Sequence, residues 1–324
     1  MNKNSTVLVT GGQGWIGLTL GQYLADQGFT DVQVLAGNTD GIDLGLDSVV
    51  GWAFETNPEI VVHLATRLPT QELSLDYPAA LMYENMVVTS KVMEEARLSG
   101  CKKFITVWES SCYPEFADTP YKESDLWEGA PHWTKRYYGN TAKTLMEMNM
   151  AFSTQFPEFV GVNLIFPEVY GPGSGFNPKK NKVIESIITN LKASEKYDIP
   201  LRVEGDSEAS RDFLYISDAV HSIYQAIMFA DEPNTYNVSD GNEITIKDLH
   251  LKIKEIFNIK VPIDWHESEI DVLKKSAMDT SLIKEEIGWE PRVDLDRGLD
   301  SMAQWYRAAK LNSDYVPEDT ISIQ

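Results

Sequence analysis

The sequence predicts an α/β fold in which a doubly wound parallel sheet carries helices on both faces. Strand-like apolar runs alternate with amphipathic, helix-like runs through the first half of the chain, a rhythm typical of repeated βα units. The chain also opens with an apolar strand, residues 6–9, that runs directly into a glycine-rich turn at 10–17. The length of 324 residues predicts about two domains, so we expect a smaller α/β substrate-binding domain at the C-terminal end.

The glycine-rich turn predicts a site for a dinucleotide. Gly11, Gly14 and Gly17 recur at every third position. Glycines so placed let the chain turn tightly, let backbone amides approach a pyrophosphate and let the next helix pack close to the strand. The phosphates then lie at a helix N-terminus, where unpaired amides and the helix dipole favour negative charge. The contacts predicted from this Rossmann-type turn are Gly11, Gln13, Gly14, Trp15, Ile16 and Gly17.

Later strands indicate where the rest of the site lies. Ligands of doubly wound sheets bind beyond the carboxyl ends of the strands, so the residues at those ends are the informative ones. At the end of the buried strand 59–65 these are Leu64 and Ala65, which we expect to contact the cofactor. The other elements predicted in this half are strands at 32–35 and 103–108 and helices at 46–55 and about 83–99.

The loop after the second strand favours NAD over NADP. An arginine there would accept the 2′-phosphate of NADP, but residues 36–43 contain none. Asn38 and Asp43 are the polar residues of this loop that we expect at the cofactor. Asp43 has a second interpretation, because a carboxylate here could instead cap the helix that starts near Leu46.

The composition excludes several classes of partner. With 28 Lys and Arg against 49 Asp and Glu, the formal net charge is −21, and such a surface repels nucleic acids and anionic membranes. The two cysteines, Cys101 and Cys112, predict no disulfide framework. No apolar run is long enough to span a bilayer, and the early first strand leaves no room for a signal peptide. We therefore expect a cytoplasmic protein, and no residue pattern predicts a metal site.

Candidates for chemistry follow the strand at 103–108. Hydroxyl groups in the run 109–114 would face a nicotinamide ring, and Tyr138 and Lys143 come next. A tyrosine and a lysine on one helix face form an acid/base pair for hydride transfer. The ammonium lowers the pKa of the phenol, which can then exchange a proton with a sugar carbonyl.

Several motifs together resemble the extended short-chain dehydrogenase/reductases of the nucleotide-sugar epimerase/reductase type, chiefly the GDP-L-fucose synthases and secondarily the GDP-mannose 3,5-epimerases. The resemblance spans nearly the whole chain. Besides the glycine turn it rests on His63–Ala65, Tyr77–Met86, Ser110–Pro114, Val169–Pro172, Gly175–Pro178, Arg211–Tyr215, Tyr236–Val238 and Gly288–Pro291. It implies a cofactor domain of residues 1–166 plus about 212–240 and a nucleotide-sugar domain of 167–211 plus 241–324. It also implies a homodimer that pairs through two long helices, here about 83–99 and 138–153.

The resemblance implies a reductase centre around three residues. Hydride would pass between the nicotinamide and C4 of the sugar, with Tyr138 as the proton donor. Lys143 would activate this phenol and contact the cofactor, and Ser110 would orient the substrate. On this interpretation Tyr138→Phe lowers turnover by about 10²-fold or more.

Two further residues resemble an epimerisation pair. Lys182 occupies the position of a histidine in the fucose synthases, and the 3,5-epimerases place a lysine in this role together with a cysteine, here Cys112. Such a pair can move protons next to a keto group if the pKa of the lysine is lowered. The sequence equally allows Lys182 to be a solvated lysine and Cys112 to be a small buried apolar residue.

The resemblance places the substrate contacts in the second half of the chain. Asn177 and Arg211 would bind the sugar nucleotide, and the guanidinium fork of Arg211 suits phosphate geometry. The alternative is that Arg211 pairs with Asp212 or Asp218.

The chain departs from the pattern of these families at three places. Tyr138 and Lys143 are one position too far apart, which on a regular helix turns their side chains about 140° away from each other. Tyr138 precedes the helix, or a π-bulge absorbs the extra residue, or the pair is broken. An ungapped count puts Glu109 at the serine position and Ser111 at the cysteine position of these families, whereas a shift by one, with two compensating gaps, puts Ser110 and Cys112 there. Glu168 stands where these families have asparagine.

Two functions of different class follow. The first is an NAD(P)-dependent enzyme that acts at C4 of a GDP-linked keto-deoxy sugar, as in GDP-L-fucose synthesis. Epimerisation at C3 and C5 of the same sugar would be a further step. The second is a nucleotide-sugar-binding protein with altered or lost reductase activity, or a non-redox epimerase that holds NAD tightly. The Tyr138–Lys143 spacing, Glu109 and Glu168 motivate the second, while the family resemblance as a whole favours the first.

Overall fold

A six-stranded parallel sheet forms the centre of the molecule. The computed structural model describes residues 2–35, 42–175, 182–266 and 274–310. In chain order the strands are β1 (Val7–Thr10), β2 (Val32–Val34), β3 (Ile60–His63), β4 (Lys103–Glu109), β5 (Val160–Phe166), β6 (Glu168–Tyr170), β7 (Leu201–Glu204), β8 (Ser210–Arg211), β9 (Phe213–Tyr215), β10 (Asn234–Asn237), β11 (Ile244–Thr245) and β12 (Ile263–His266). The central sheet has the order β10-β5-β4-β3-β1-β2, and all its neighbouring strands are parallel.

Helices cover both faces of this sheet. They are α1 (Trp15–Asp26), α2 (Asp47–Ala53), α3 (Gln71–Leu75), α4 (Pro78–Leu98), α5 (Arg136–Gln155), α6 (Val183–Tyr197), α7 (Ile216–Phe229), α8 (Ile246–Ile256), α9 (Ser281–Ile287) and α10 (Leu295–Lys310). Val7 and Val9 pack with α1 and α7, whereas Leu8 packs with α2 and α4. Alternate side chains of one buried strand thus enter opposite layers, and the predicted doubly wound α/β fold is confirmed.

A separate apolar core lies in the second half of the chain. It is built from α6, α8, α10 and the paired strands β7 and β12. Strand β10 instead returns to the edge of the central sheet, beside β5. The predicted domain boundaries stay a prediction.

Two elements differ from their predicted positions. Helix α4 begins at Pro78 rather than near 83, because proline is tolerated in the first turn, where its missing amide costs no hydrogen bond. The strand predicted near Val261 is β12, two positions later.

Among the helices described, none combines the length and apolarity that a membrane crossing needs. The residues that the structure describes hold no group of three or more His, Cys, Asp or Glu side chains arranged to bind a metal ion.

Candidate active site

The turn after β1 has the geometry of a phosphate cradle. Gly11 has a φ of +71°, and a Cβ there would lie 2.7 Å from the backbone of Leu64 and Ala65, just past the end of β3. A Cβ on Gly17 would lie 2.7 Å from the carbonyl oxygen of Gly11. Both positions therefore require glycine, and they bring the start of α1 against the carboxyl ends of β1 and β3.

Helix α1 presents its first amides without a side-chain cap. Its N-cap residue is Gly14, which makes no capping hydrogen bond. Gln13 is exposed beside this end, and Ile16 packs against the core. An uncapped helix N-terminus offers its amide groups to an anion, so these residues fit the diphosphate of a dinucleotide.

Trp15 joins this turn to the second half of the chain. Its Nε1 donates a hydrogen bond to the carbonyl oxygen of Pro172 at 3.0 Å. Lys182 Nζ lies 5.5 Å from the centre of the indole ring and donates to the carbonyl oxygen of Val169 at 2.9 Å. Lys182 is therefore held beside the glycine turn by two contacts and does not extend freely into solvent.

The loop predicted at the adenosine is only partly described. Asn38 lies outside the described residues. Asp43 Oδ1 accepts a hydrogen bond from the amide of Gly45 at 2.8 Å, while the N-cap residue of α2 is Leu46. Asp43 thus shapes the turn before the helix and does not cap the helix itself; its contact with a cofactor stays a prediction.

The structure does not bring Tyr138 and Lys143 together. Helix α5 is continuously α-helical, so neither a late start nor a π-bulge relieves the spacing. Tyr138 is 1% exposed, and its Oη accepts a hydrogen bond from the amide of Glu109 at 3.2 Å. Lys143 Nζ donates instead to the carbonyl oxygens of Leu126, at 3.1 Å, and Gly129, at 2.9 Å.

The electrostatics of Tyr138 follow from this placement. Burial raises its pKa well above the usual value, and the charge of Glu109 raises it further. The ammonium of Lys143 acts on the thiol of Cys112. We expected Lys143 to lower the pKa of the Tyr138 phenol, but in this structure it does not. The proton-donor role of Tyr138 stays a prediction.

The residue one helical turn before Lys143 is Gly139. A Cβ there would lie 2.6 Å from Pro131 Cγ and 3.0 Å from the carbonyl oxygen of Ser111. Because these distances are below van der Waals contact, a tyrosine at this position would have to displace Pro131.

Ser110 and Cys112 lie in a short 3₁₀ turn that directly follows β4. Ser110 is 8% exposed and Cys112 is fully buried. Burial raises the pKa of Cys112 to about 12, and the thiol packs among the apolar side chains that also surround Tyr138. Cys112 is thus a neutral thiol in this structure, in accord with its second interpretation as a small buried residue.

Two glutamates lie beside Lys182. Glu168 begins β6, and its Oε1 is buried without a hydrogen-bond partner among the described residues. Burial, and next the charge of Glu185, raise the pKa of Glu168 to about 8. Glu185, in the first turn of α6, is 1% exposed. The departure at Glu168 was visible in the sequence, but Glu185 gave no signal because it reads as one more polar position of an amphipathic helix.

Arg211 lies on β8 with its side chain partly buried. Asp212 accepts hydrogen bonds from Ser239 and from the amide of Met278. Asp218 accepts from two backbone amides near the start of α10. Neither aspartate forms an ion pair with Arg211 in the described part of the chain. Arg211 Nη1 donates to the carbonyl oxygen of Ser210 at 2.6 Å, and the charges of Glu168, Asp212 and Glu243 act on the guanidinium. Asn177 lies outside the described residues.

A model of the NAD dependent epimerase/dehydratase family matches residues 7–239. The chain belongs to this family. The predicted resemblance to extended short-chain dehydrogenase/reductases of nucleotide sugars is thereby confirmed, and with it the prediction of an NAD(P)-dependent enzyme family.

Relatives of this epimerase/dehydratase chain extend over nearly its full length. A probable GDP-L-fucose synthase 1 of Oryza sativa subsp. japonica is 28% identical and aligns over 94% of this chain and 93% of its own. The GDP-L-fucose synthase of Escherichia coli K12 is 25% identical, with 93% and 96% aligned. The crystal structure of a GDP-L-fucose synthetase from Naegleria fowleri bound to NADP has a TM-score of 0.85 at 19% identity, covering 97% of this chain and 96% of that one. The fold of the family is therefore conserved here from β1 to α10.

Proposed function

We propose that this chain is an NAD(P)-dependent reductase/epimerase that acts at C4, and in a further step at C3 and C5, of a GDP-linked keto-deoxy sugar. One chain of contacts supports the proposal. Trp15 of the glycine turn contacts Lys182, Lys182 acts electrostatically on Glu168, and Glu168 acts on Arg211. The glycine turn and Arg211 are thus linked through the same two charged residues, Lys182 and Glu168, which supports a dinucleotide and a sugar nucleotide that meet there.

The proposed roles follow from the position of each residue. The glycine turn, Leu64 and Ala65 would hold the cofactor, which supplies the hydride when bound. Arg211 would bind the diphosphate of the sugar nucleotide, and Ser110, at the end of β4, would orient the sugar. NAD is the favoured cofactor because residues 36–43 carry no arginine.

Purified protein tests the proposal directly. We expect NADH, mixed with GDP-4-keto-6-deoxymannose and the protein, to lose its absorbance while a reduced GDP-sugar forms, with a lower KM for NADH than for NADPH. Arg211→Gln should raise the KM for the GDP-sugar and leave the Kd of the cofactor unchanged. A chain that binds both ligands without any absorbance change would contradict the proposal.

That outcome would support a second candidate, a protein that binds the cofactor and the nucleotide sugar with altered or lost reductase activity. The burial of Tyr138 and the glycine one turn before Lys143 favour it. A non-redox epimerase would be recognised by exchange of the C3 or C5 hydrogens with deuterated water at constant NADH.

We also propose a homodimer, located in the cytoplasm. Tyr83 of α4 is 69% exposed and Tyr137 of α5 is 49% exposed, and both lie on the helices expected to pair. Burial of such aromatic side chains stabilises an interface. Light scattering that gives the mass of one chain would contradict the dimer.

A further inference from the structure

Two carboxyl groups, those of Glu168 and Glu185, are buried near the carboxyl edge of the central sheet with few hydrogen-bond donors around them. Glu168 Oε1 is buried and has no hydrogen-bond partner among the described residues. Hydrogen bonds from the amide of Val183 to Glu168 and from the hydroxyl of Ser174 to Glu185 lower the pKa of each carboxyl group, but burial outweighs both. Glu185 is 1% exposed, whereas Glu168 as a whole residue is partly exposed although its Oε1 is buried. Burying an ionised carboxylate without a partner is costly, and two neighbouring carboxylates repel each other. A proton held by this pair therefore stabilises the folded state.

The surroundings of Glu168 place it between the two expected ligands. The last residues of β4 and β5 pair with each other, and Glu168 follows the end of β5 by two positions. Its carboxyl group interacts electrostatically with Glu109 of β4, with Lys182 and Glu185 at the start of α6, and with Arg211 of β8. It thus stands at the carboxyl edge of the sheet, where folds of this type bind a dinucleotide, and beside the arginine proposed for the sugar nucleotide.

We propose that Glu168 is the proton donor to the carbonyl oxygen of the sugar, and that Glu185 and Lys182 are positioning residues that control its proton. The inference rests on the proposed function and names the acid of that same site. A donor must carry its proton at the working pH. Because burial and the charge of Glu185 raise the pKa of Glu168 to about 8, the group is neutral at pH 7.

The proton transfer balances without a further reactant. When the sugar carbonyl carbon accepts a hydride, the electron pair of the C=O π bond moves to the oxygen. The O–H bond of Glu168 breaks, a new O–H bond forms on the sugar, and Glu168 keeps the electron pair as a carboxylate. The carboxylate then takes up a proton from water, and the positive charge of Lys182 stabilises it in the interval.

Glu168 is better placed for this task than Tyr138. The phenol is 1% exposed, lies in an apolar cluster and meets the amide of Glu109. Lys143, the cation expected to assist it, is bound by two backbone carbonyl groups. Glu168 combines partial exposure with a neighbouring ammonium, which the chemistry requires.

Three variants test the assignment in the assay with NADH and GDP-4-keto-6-deoxymannose. Glu168→Gln keeps the shape but removes the proton, and we expect kcat to fall by about 10²-fold or more with an unchanged cofactor Kd. Glu285→Gln, the same substitution at an exposed position of α9, is the matched control and should leave kcat unchanged. Tyr138→Phe should lose far less than Glu168→Gln. The reverse order of Glu168→Gln and Tyr138→Phe would overturn the proposal.

The pH profile separates a positioning role from a structural one. Wild-type kcat should fall above about pH 8, as Glu168 loses its proton. Glu185→Gln removes a like charge and lowers the pKa of Glu168, so this fall moves to lower pH. Lys182→Met removes an opposite charge and moves it to higher pH. If Glu185 and Lys182 were only structural, both variants would lower kcat without moving the pH of this fall in opposite directions. That result would overturn the proposed positioning roles of Glu185 and Lys182.

A measurement without substrate or cofactor tests the proton itself. The folded-state pKa of Glu168, about 8, exceeds its unfolded value. The folded protein therefore holds one proton more between about pH 4.5 and 8. Its contribution to the free energy of unfolding is complete at the acid end and lost as the pH rises. Glu168→Gln, but not Glu285→Gln, should remove this component of the slope, and an unchanged slope would overturn the proposal. If wild type shows the slope but no turnover, the proposed function fails and the donor role with it.

Discussion

Gly139 precedes Lys143 by one helical turn, and a Cβ at Gly139 would lie 2.6 Å from Pro131 Cγ. The face of α5 that carries Lys143 therefore has no room for a phenol at the position where the hydride-transfer pair needs one. Tyr138, the neighbour of Gly139, turns into the apolar cluster of Cys112 and Trp108 instead. Lys143 and Tyr138 therefore lie on different faces of α5, and the proposal of Glu168 as proton donor starts from this separation.

The close packing of Gly139 predicts a measurable cost. Gly139→Ala should lower the free energy of unfolding by about 1–3 kcal/mol, since overpacking strains Pro131 and the carbonyl of Ser111. The matched control is Gly51→Ala in α2, where a Cβ meets nothing within 4 Å. That substitution should raise stability by about 0.5–1 kcal/mol through helix propensity. Denaturant unfolding of both variants measures the difference, and equal effects would contradict the packing.

Much of the fold was predictable because its signals are local. The buried strand and the glycine spacing at Gly11, Gly14 and Gly17 depend on neighbouring residues, so the cradle and the parallel sheet follow from the sequence. Gly11 packs against the backbone of Leu64, which is distant in sequence. This tertiary contact could be predicted only because the glycine motif recurs in known folds with the same packing.

The candidate site was less predictable because its contacts are long-range. The spacing of Tyr138 and Lys143 allowed three arrangements: a late start of the helix, a π-bulge or a separated pair. Because α5 is continuously α-helical, only the separated pair is compatible with the structure. No local pattern could show that the buried Glu185 acts electrostatically on Glu168, because the two residues belong to different elements that come together only in the folded chain.

The two thiols should be unreactive in the folded protein. Cys101 and Cys112 are buried, and burial raises the pKa of each to about 12. Since the thiolate is the reactive form, an aromatic disulfide reagent at pH 8 should modify neither in the native state and both after denaturation. A fast native reaction at one thiol, located by mass spectrometry of the peptides, would show that this site opens.

Stability should fall with acid through His63. The imidazole is fully buried between Thr10 and Thr89, and burial lowers its pKa to about 4. The unfolded state takes up this proton near the ordinary pKa of about 6.5, so stability is complete above that pH and is lost as the pH falls toward 4. The slope of the unfolding free energy against pH reports the difference in bound protons between the unfolded and folded states. His63→Gln should lower this difference by about one proton between pH 4 and 6.5. An unchanged slope would contradict the buried neutral ring.

Trp15 should couple cofactor binding to the loop that leads toward Lys182. Trp15→Phe removes the hydrogen bond from Nε1 to the carbonyl oxygen of Pro172 but keeps an aromatic face beneath Lys182. A lost hydrogen bond of about 1 kcal/mol should weaken NADH binding about fivefold, measured by calorimetry, because the start of α1 is no longer tied to that loop. The control is Trp52→Phe on α2, where the indole is 53% exposed; it should leave the Kd unchanged. If Trp15→Phe binds NADH as wild type does, the hydrogen bond holds the loop but does not position the phosphate cradle.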